Sequence, residues 1–317
     1  MRLDTVIANY IAYRKALGDR FDTQAMWLKS FCRAIGDEAE VTDILPEQIS
    51  SFLNGTGGST LTWHSRHDAL AGFYRYAISR GLVKTSPLPK VKPQITKDFV
   101  PYIYTHEELR RLLAAALTYQ KHYGYGYHLA PQTVQTMLLL LYGAGLRCSE
   151  ALSLRLADVN LEQAVLTIRD SKFFTSRLVP ISSFLNERLQ RYAASRQQAG
   201  HAQSKDAPFF VKHNGQRVNL WNIEKAFRRI RKEAGVNRAD GGRYQPRLHD
   251  LRHAFAVHRL TSWYREGKDV QKLLLQLSVY LGHRNLTGTL VYLTMIPELL
   301  SQASQRFEHY ALKGGLQ

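Results

Sequence analysis

Cysteine is almost missing. Cys32 and Cys148 stand far apart in a chain of 317 residues, so they form no C-x-x-C metal or redox pattern. Both read as ordinary thiols, compatible with a reducing compartment. Long hydrophobic runs are also lacking: none approaches the roughly 18 to 20 residues that a membrane-spanning helix needs. The opening stretch MRLDTVIANYIAYRK mixes charge throughout, without the apolar core and small-residue cleavage site of a signal peptide. A cytoplasmic location with no membrane partner is expected. Acidic residues are scarce, with 26 Asp and Glu against 43 Lys and Arg and a formal net charge of +17. That imbalance fits a polyanion better than a neutral metabolite, which makes nucleic acid the first candidate partner. Internal repeats and low-complexity tracts are missing too. With 44% hydrophobic residues, the chain can bury a core in one large or two ordinary domains.

The first 81 residues read as a small helical bundle. Apolar residues recur at helical spacing as Val6, Tyr10, Tyr13, Leu17, then Leu28, Phe31, Cys32, Ile35, then Leu70, Phe73, Tyr74, Ala77. The last of these helices carries Arg66, Arg75 and Arg80 with His64 and His67, a basic face suited either to phosphates or to plain solvent. Residues 82–104 change character, with four prolines, no helical period and the lysines Lys84, Lys90, Lys92 and Lys97. This is expected to be an extended basic linker that tracks DNA. Thr105 and Glu108 then form a capping-box pattern ahead of Leu109, Leu112 and Leu113, opening a second domain at 105–295. That domain reads as mostly helical with one small antiparallel sheet, since AVLTIRD and SRLVPI are rich in β-branched residues around a short polar turn. Farther on, Ile223, Phe227, Ile230 and Ala234 line one side of a helix while Lys225, Arg228, Arg229 and Lys232 line another, a plausible DNA-facing stripe. Residues 296–317, with Leu300, Ala303, Phe307 and Tyr310, read as a terminal amphipathic helix that needs a groove, in its own domain or in a neighbouring protomer.

Breaking a phosphodiester requires cationic donors on its non-bridging oxygens, a nucleophile that can lose a proton, and an acid for the leaving oxygen. The second half of the chain holds candidates for each. Arg147 follows Gly143-Ala144-Gly145 and precedes Ser149-Glu150-Ala151-Leu152, which places it at a helix start, where free amides favour an anion. His249 and Arg252 share one helical face, with Leu251 and Phe255 anchoring the other. His283 follows Tyr280-Leu281-Gly282, and Tyr292 comes nine residues later. Lys172 falls in the turn between the two predicted strands. Singly, each has a bland structural alternative.

Together, GLRCSEALSL, DSKFFTSR, HDLRHAFA, YLGH and TLVYL resemble the tyrosine recombinase family of phage-integrase-like enzymes, over residues 105 to 295. The helical N-terminal part is similar to that family's core-binding domain. The resemblance implies a site-specific DNA recombinase with Tyr292 as nucleophile, leaving a 3′-phosphotyrosine and a free 5′-hydroxyl without metal or other cofactor. It assigns Arg147 and Arg252 to clamp the scissile phosphate and His249 to help deprotonate the tyrosine. His283 would donate to a phosphate oxygen, Lys172 would protonate the leaving oxygen, and Glu150 would support the site. It further implies a tetramer on double-stranded recombination sites, with the terminal helix docked on a neighbouring protomer and accessory recombinases or DNA-bending proteins as further partners. Ala254 stands where the family often has serine or threonine. The long segment before Leu281-Gly282-His283 is similar to recombinases of transposon-borne multi-recombinase modules. A type IB topoisomerase-like enzyme and a non-catalytic DNA-binding protein on a recombinase fold are the competing expectations.

Overall fold

The computed structural model describes all residues except 20, 37, 57–59, 96–99, 119–128, 170–175, 243, 284 and 296–317. Lys172 and the terminal segment 296–317 therefore lie outside the described residues. The chain divides into two compact units, Met1–Asp98 and Phe99–Gln317, and the division falls inside the basic stretch 82–104. No helix among the described residues is long and apolar enough to cross a membrane.

The N-terminal unit is built from α1 (Leu3–Ala16), α2 (Asp22–Ile35), α3 (Pro46–Asn54) and α4 (Thr60–Ser79). Burial of Leu3, Val6, Ile7, Tyr10 and Ile11 on α1, Leu28 and Phe31 on α2, and Leu70, Phe73 and Tyr74 on α4 closes its core. Tyr13 and Leu17, expected on the apolar face of α1, are exposed instead. The helix buries the 3-6-7-10-11 stripe, Tyr13 stacks at the rim on Tyr76, and Leu17 is already the C-cap. The basic face of α4 is also partly structural. Arg66 lies over the rings of Trp27 and Phe52, 5.0 and 5.1 Å from their centroids, and donates to the Phe52 carbonyl at 2.7 Å. His67 is buried and stacks on Trp63. Arg66 thus leaves the set of DNA-facing candidates, because its guanidinium packs inward. Arg75, Arg80 and Lys90 are exposed, while Lys92 pairs with Asp68 at 3.2 Å.

In the second unit, the Thr105 hydroxyl accepts from the Glu108 amide and the Glu108 carboxylate accepts from the Thr105 amide, starting α5 (His106–Thr118) as the capping-box pattern requires. There follow α6 (Pro131–Gly143), α7 (Cys148–Ser153), a 3-10 turn at Leu156–Asp158, β1 (Val159–Asn160), β2 (Val165–Ile168) and β3 (Arg177–Pro180). The three strands form one antiparallel sheet in the order β1-β2-β3, with Val165 opposite Pro180 and Ile168 opposite Arg177. Pro180 is tolerated because β3 is an edge strand. The sequence pattern predicts β2 and β3 but not the two-residue β1. Then come α8 (Ser183–Gln198), α9 (Leu220–Glu233), α10 (Asp250–Arg265), α11 (Val270–Leu281) and the short α12 (Thr287–Leu290). On α9, Ile223, Phe227 and Ile230 are buried, which turns Arg228 and Lys232 to solvent; Lys225 and Arg229 are half-buried. Among the described residues the fold is mainly α with this one small sheet.

Candidate active site

The end of α11 organises the site. Gly282 ends that helix in the left-handed conformation, φ 67° and ψ 46°, which a residue without a Cβ adopts at little cost. A helix C-terminus leaves carbonyls without intrahelical donors, and here three consecutive ones are taken by three arginines. Arg177 Nε donates to the Tyr280 carbonyl at 2.8 Å, Arg252 to that of Leu281 at 2.7 Å, and Arg147 to that of Gly282 at 3.0 Å. The negative end of the helix dipole favours cations at this spot.

One carboxylate ties the same three cations together. Glu150 accepts from the Arg147 amide and guanidinium at 2.9 and 2.7 Å. It also takes a two-pronged bond from Arg177 at 3.0 and 2.9 Å and lies 3.9 Å from Arg252. Although burial opposes its charge, the Arg177 and Arg147 bonds hold its pKa down at about 2. Arg147 is the N-cap residue of α7, the helix start its sequence context predicts. Arg252 is only 2% exposed; it also donates to the Gly145 carbonyl at 2.7 Å. Its burial and the neighbouring Arg147 depress its pKa to about 10, still fully charged at neutral pH. At Gly145, φ +58°, the backbone runs close to α10 and α11: a Cβ there would collide with the Phe255 ring and come within 2.9 Å of Leu281. Three guanidiniums against one carboxylate leave an excess of positive charge, and the Arg147 side chain keeps 21% of its surface open.

Tyr292 arrives beside this cluster through α12. The residue is buried, at 2% exposure, and packs with Phe255, Leu277 and Leu281. Its hydroxyl is nevertheless not in a wholly apolar setting: it lies 3.2 Å from His253 Nδ1. Burial raises the phenol's pKa, while Arg252 and Arg147 pull it the other way. His283 faces the phenol ring at 6.2 Å between centroids and bonds the Thr289 hydroxyl through Nδ1 at 2.6 Å. His249 is an exposed residue at the edge of the group, and its ring meets that of His253 edge-on at 5.0 Å. The hydroxyl's partner is thus His253, not His249. Sequence reasoning passed over His253 and Arg177, although His253 stands one turn from His249 in HDLRH. Arg147, Glu150, His249, Arg252, His283 and Tyr292 are brought together. Ala254 is fully buried, which suits its methyl group. Among the described residues, no group of three or more His, Cys, Asp or Glu could hold a metal ion.

The buried imidazoles make stability acid-sensitive. Burial, reinforced by neighbouring imidazole and guanidinium groups, holds His253 at about 3 and His283 at about 4, and burial beside His106 holds His258 at about 4. An unfolded imidazole titrates near 6.5. Below that pH the unfolded chain takes up protons that the folded chain cannot, so stability falls as pH drops from about 6.5 to about 4. The Glu150 carboxylate adds a second loss between about 4.5 and 2. Thermal melting across pH 4 to 8 is expected to give a flat plateau above 6.5 and a steep decline below it; a melting temperature constant down to pH 4.5 would contradict these buried neutral rings.

The phage integrase family profile matches residues 103–297. An integrase/recombinase of Sinorhizobium fredii, y4rB, is 37% identical over 246 residues, 78% of this chain and 78% of that protein. Tyrosine recombinase XerA of Thermococcus kodakarensis is 30% identical over 221 residues, 68% of this chain and 66% of that one. Among solved structures, the Tn1549 transposon integrase in complex with transposon right end DNA aligns with a TM-score of 0.67 over 92% of this chain and 94% of that one, at 18% identity, a likeness of fold.

Proposed function

The chain belongs to the phage integrase family and is a tyrosine-type site-specific DNA recombinase, and on that premise we propose that its chemistry runs through Tyr292. The observation that carries this is the convergence of Arg147, Arg252, His283 and Tyr292, drawn from four separate segments, around a cationic cluster with charge to spare. A scissile phosphate seated on Arg147 and Arg252 meets planar donors that match its non-bridging oxygens, and these bonds strengthen as charge builds on the pentavalent phosphorus. Its non-bridging charge also reduces the positive field at the cluster. His283 donates to the same phosphate, Glu150 holds Arg147 in place by hydrogen bonds and faces Arg252 at 3.9 Å, and Lys172 protonates the leaving 5′ oxygen. The product of cleavage is a 3′-phosphotyrosine with a free 5′-hydroxyl, which a second strand end reverses. A tetramer on two duplexes, with residues 296–317 linking protomers, completes the exchange.

Nicked suicide duplexes tiled across the DNA flanking the gene test this. The short strand released after cleavage diffuses away, so the protein stays covalently attached, and peptide mapping is expected to find the nucleotide on Tyr292. An adduct on another residue, or none on any duplex the protein binds, refutes the assignment.

Exposed Arg228 and Lys232, with Lys225 and Arg229, form a DNA-facing stripe on α9 in this reading, and Arg75, Arg80, Lys90 and Lys92 contact phosphates from the N-terminal unit. Each phosphate neutralised releases counterions, so affinity falls with salt by about 0.9 log units per contact for each decade. Arg228→Ala and Lys232→Ala are each expected to lower that slope by about 1. Titrations of binding against salt check this, and an unchanged slope in both variants removes α9 from the interface.

A further inference from the structure

His253 has no role in the family reading above, yet its ring nitrogen is hydrogen-bonded to the phenol hydroxyl. It sits on α10 one turn beyond His249, with Nδ1 3.2 Å from the Tyr292 hydroxyl and the two rings tilted at 5.6 Å between centroids. Arg252 acts on the same hydroxyl, and its guanidinium offers only N–H donors. With Arg252 donating to the phenol oxygen, the hydroxyl hydrogen is left for the imidazole, and in that arrangement Nε2 carries the proton and Nδ1 presents a lone pair.

We propose that His253 is a catalytic residue whose Nδ1 takes the phenolic proton as Tyr292 attacks phosphorus and returns it when the strand is rejoined. This rests on Tyr292 being the nucleophile. In the forward step the phenol O–H bond breaks and its proton moves to Nδ1. The freed electron pair forms the new phosphorus–oxygen bond, the bond to the 5′ oxygen breaks, and that oxygen takes a proton from the acid assigned to Lys172. Rejoining runs each transfer backwards, with protonated His253 now acting as the acid for the departing phenolate, as microscopic reversibility demands.

The surroundings suit this task. His249, Arg247, Arg252, His283 and Tyr292 face His253, and burial with the positive members of that set keeps the ring neutral, so the lone pair is available at neutral pH. A phosphate seated on Arg147 and Arg252 brings a negative charge into this field and makes Nδ1 a stronger base at the moment it is needed.

The test uses the full chain and a nicked duplex that the parent protein is trapped on. His253→Ala and His253→Gln are expected to bind that duplex as the parent does and to form adduct about 10² to 10⁴ times more slowly, the usual worth of a positioned base. Glutamine can accept a hydrogen bond but cannot take a proton, so equal loss in both variants marks proton transfer instead of packing. Added imidazole is expected to restore the rate of His253→Ala in proportion to its unprotonated fraction. A duplex with sulfur in place of the bridging 5′ oxygen needs no acid at the leaving group, so it should leave the defect of both His253 variants in place. Parent-like rates for His253→Gln, or rescue of either variant by the sulfur substrate, overturn the proposal. A parent chain that is never trapped instead defeats the assignment of Tyr292 itself.

Discussion

Tyr292→Phe is expected to bind recombination-site DNA as tightly as the parent chain and to form no covalent adduct, on any substrate and at any length of incubation. The change removes one oxygen from a side chain that is otherwise packed against Phe255, Leu277 and Leu281, so the ring keeps its place. What is lost inside the protein is the contact with His253 Nδ1, worth about 0.5 to 1.5 kcal/mol, together with the interaction of the phenol oxygen with Arg252. The fold survives that. Chemistry does not, because the arginines and histidines around the vacant position can polarise a phosphate but none of them is placed to form the ester. Gel-shift titration beside denaturing electrophoresis separates the two effects, and an adduct surviving in this variant would show another residue to be the nucleophile.

Glu150→Ala is expected to destabilise the protein by about 3 to 5 kcal/mol, the typical consequence of removing one partner from a buried ionic group. The side chain is 5% exposed and accepts from Arg147 and Arg177 with a third guanidinium 3.9 Å away. Without it, like charges face one another at the end of α11. The size of the effect has a signature that ordinary cavity formation lacks. Sulfate or phosphate ions, which fill the vacated position, are expected to stabilise Glu150→Ala more than the parent, since anything that binds only the folded state raises its stability. Denaturant melts with and without sulfate measure both quantities. A loss below about 1 kcal/mol, or equal anion effects in both proteins, would mean that the carboxylate is not the bridge the geometry describes.

Much of this site was legible in the sequence because its members sit in short motifs with local structural meaning. A glycine turn before Arg147 gives a helix start, H-x-x-R gives one helical face, and a glycine stop before His283 gives an element boundary. Those are local rules, and the structure brings the corresponding side chains together. What escaped was set by contacts between distant segments. Arg177 reads as one more polar residue on a strand, and only the packing of α11 against β3 turns it toward Glu150 and Tyr280. His253 was passed over in favour of His249 because a family resemblance assigns roles by motif position, whereas the hydroxyl's partner depends on how α12 delivers Tyr292. The basic face of α4 failed in part for a related reason: a guanidinium can cover an aromatic ring as readily as a phosphate, and Arg66 does the former.

The acceptors that anchor the three arginines are peptide oxygens, and this has a consequence for how the protein tolerates change. No point substitution can erase a carbonyl, so sequence drift at positions 280 and 281 leaves those tethers in existence whatever side chains come and go. Position 282 is less forgiving, since a Cβ there would crowd the Arg177 guanidinium at 2.7 Å. Length is another matter: adding or removing one residue in α11 rotates its end by about 100° and points all three oxygens elsewhere at once. The arginine cluster is therefore buffered against misspelling along this helix end and defenceless against a frame of the wrong size.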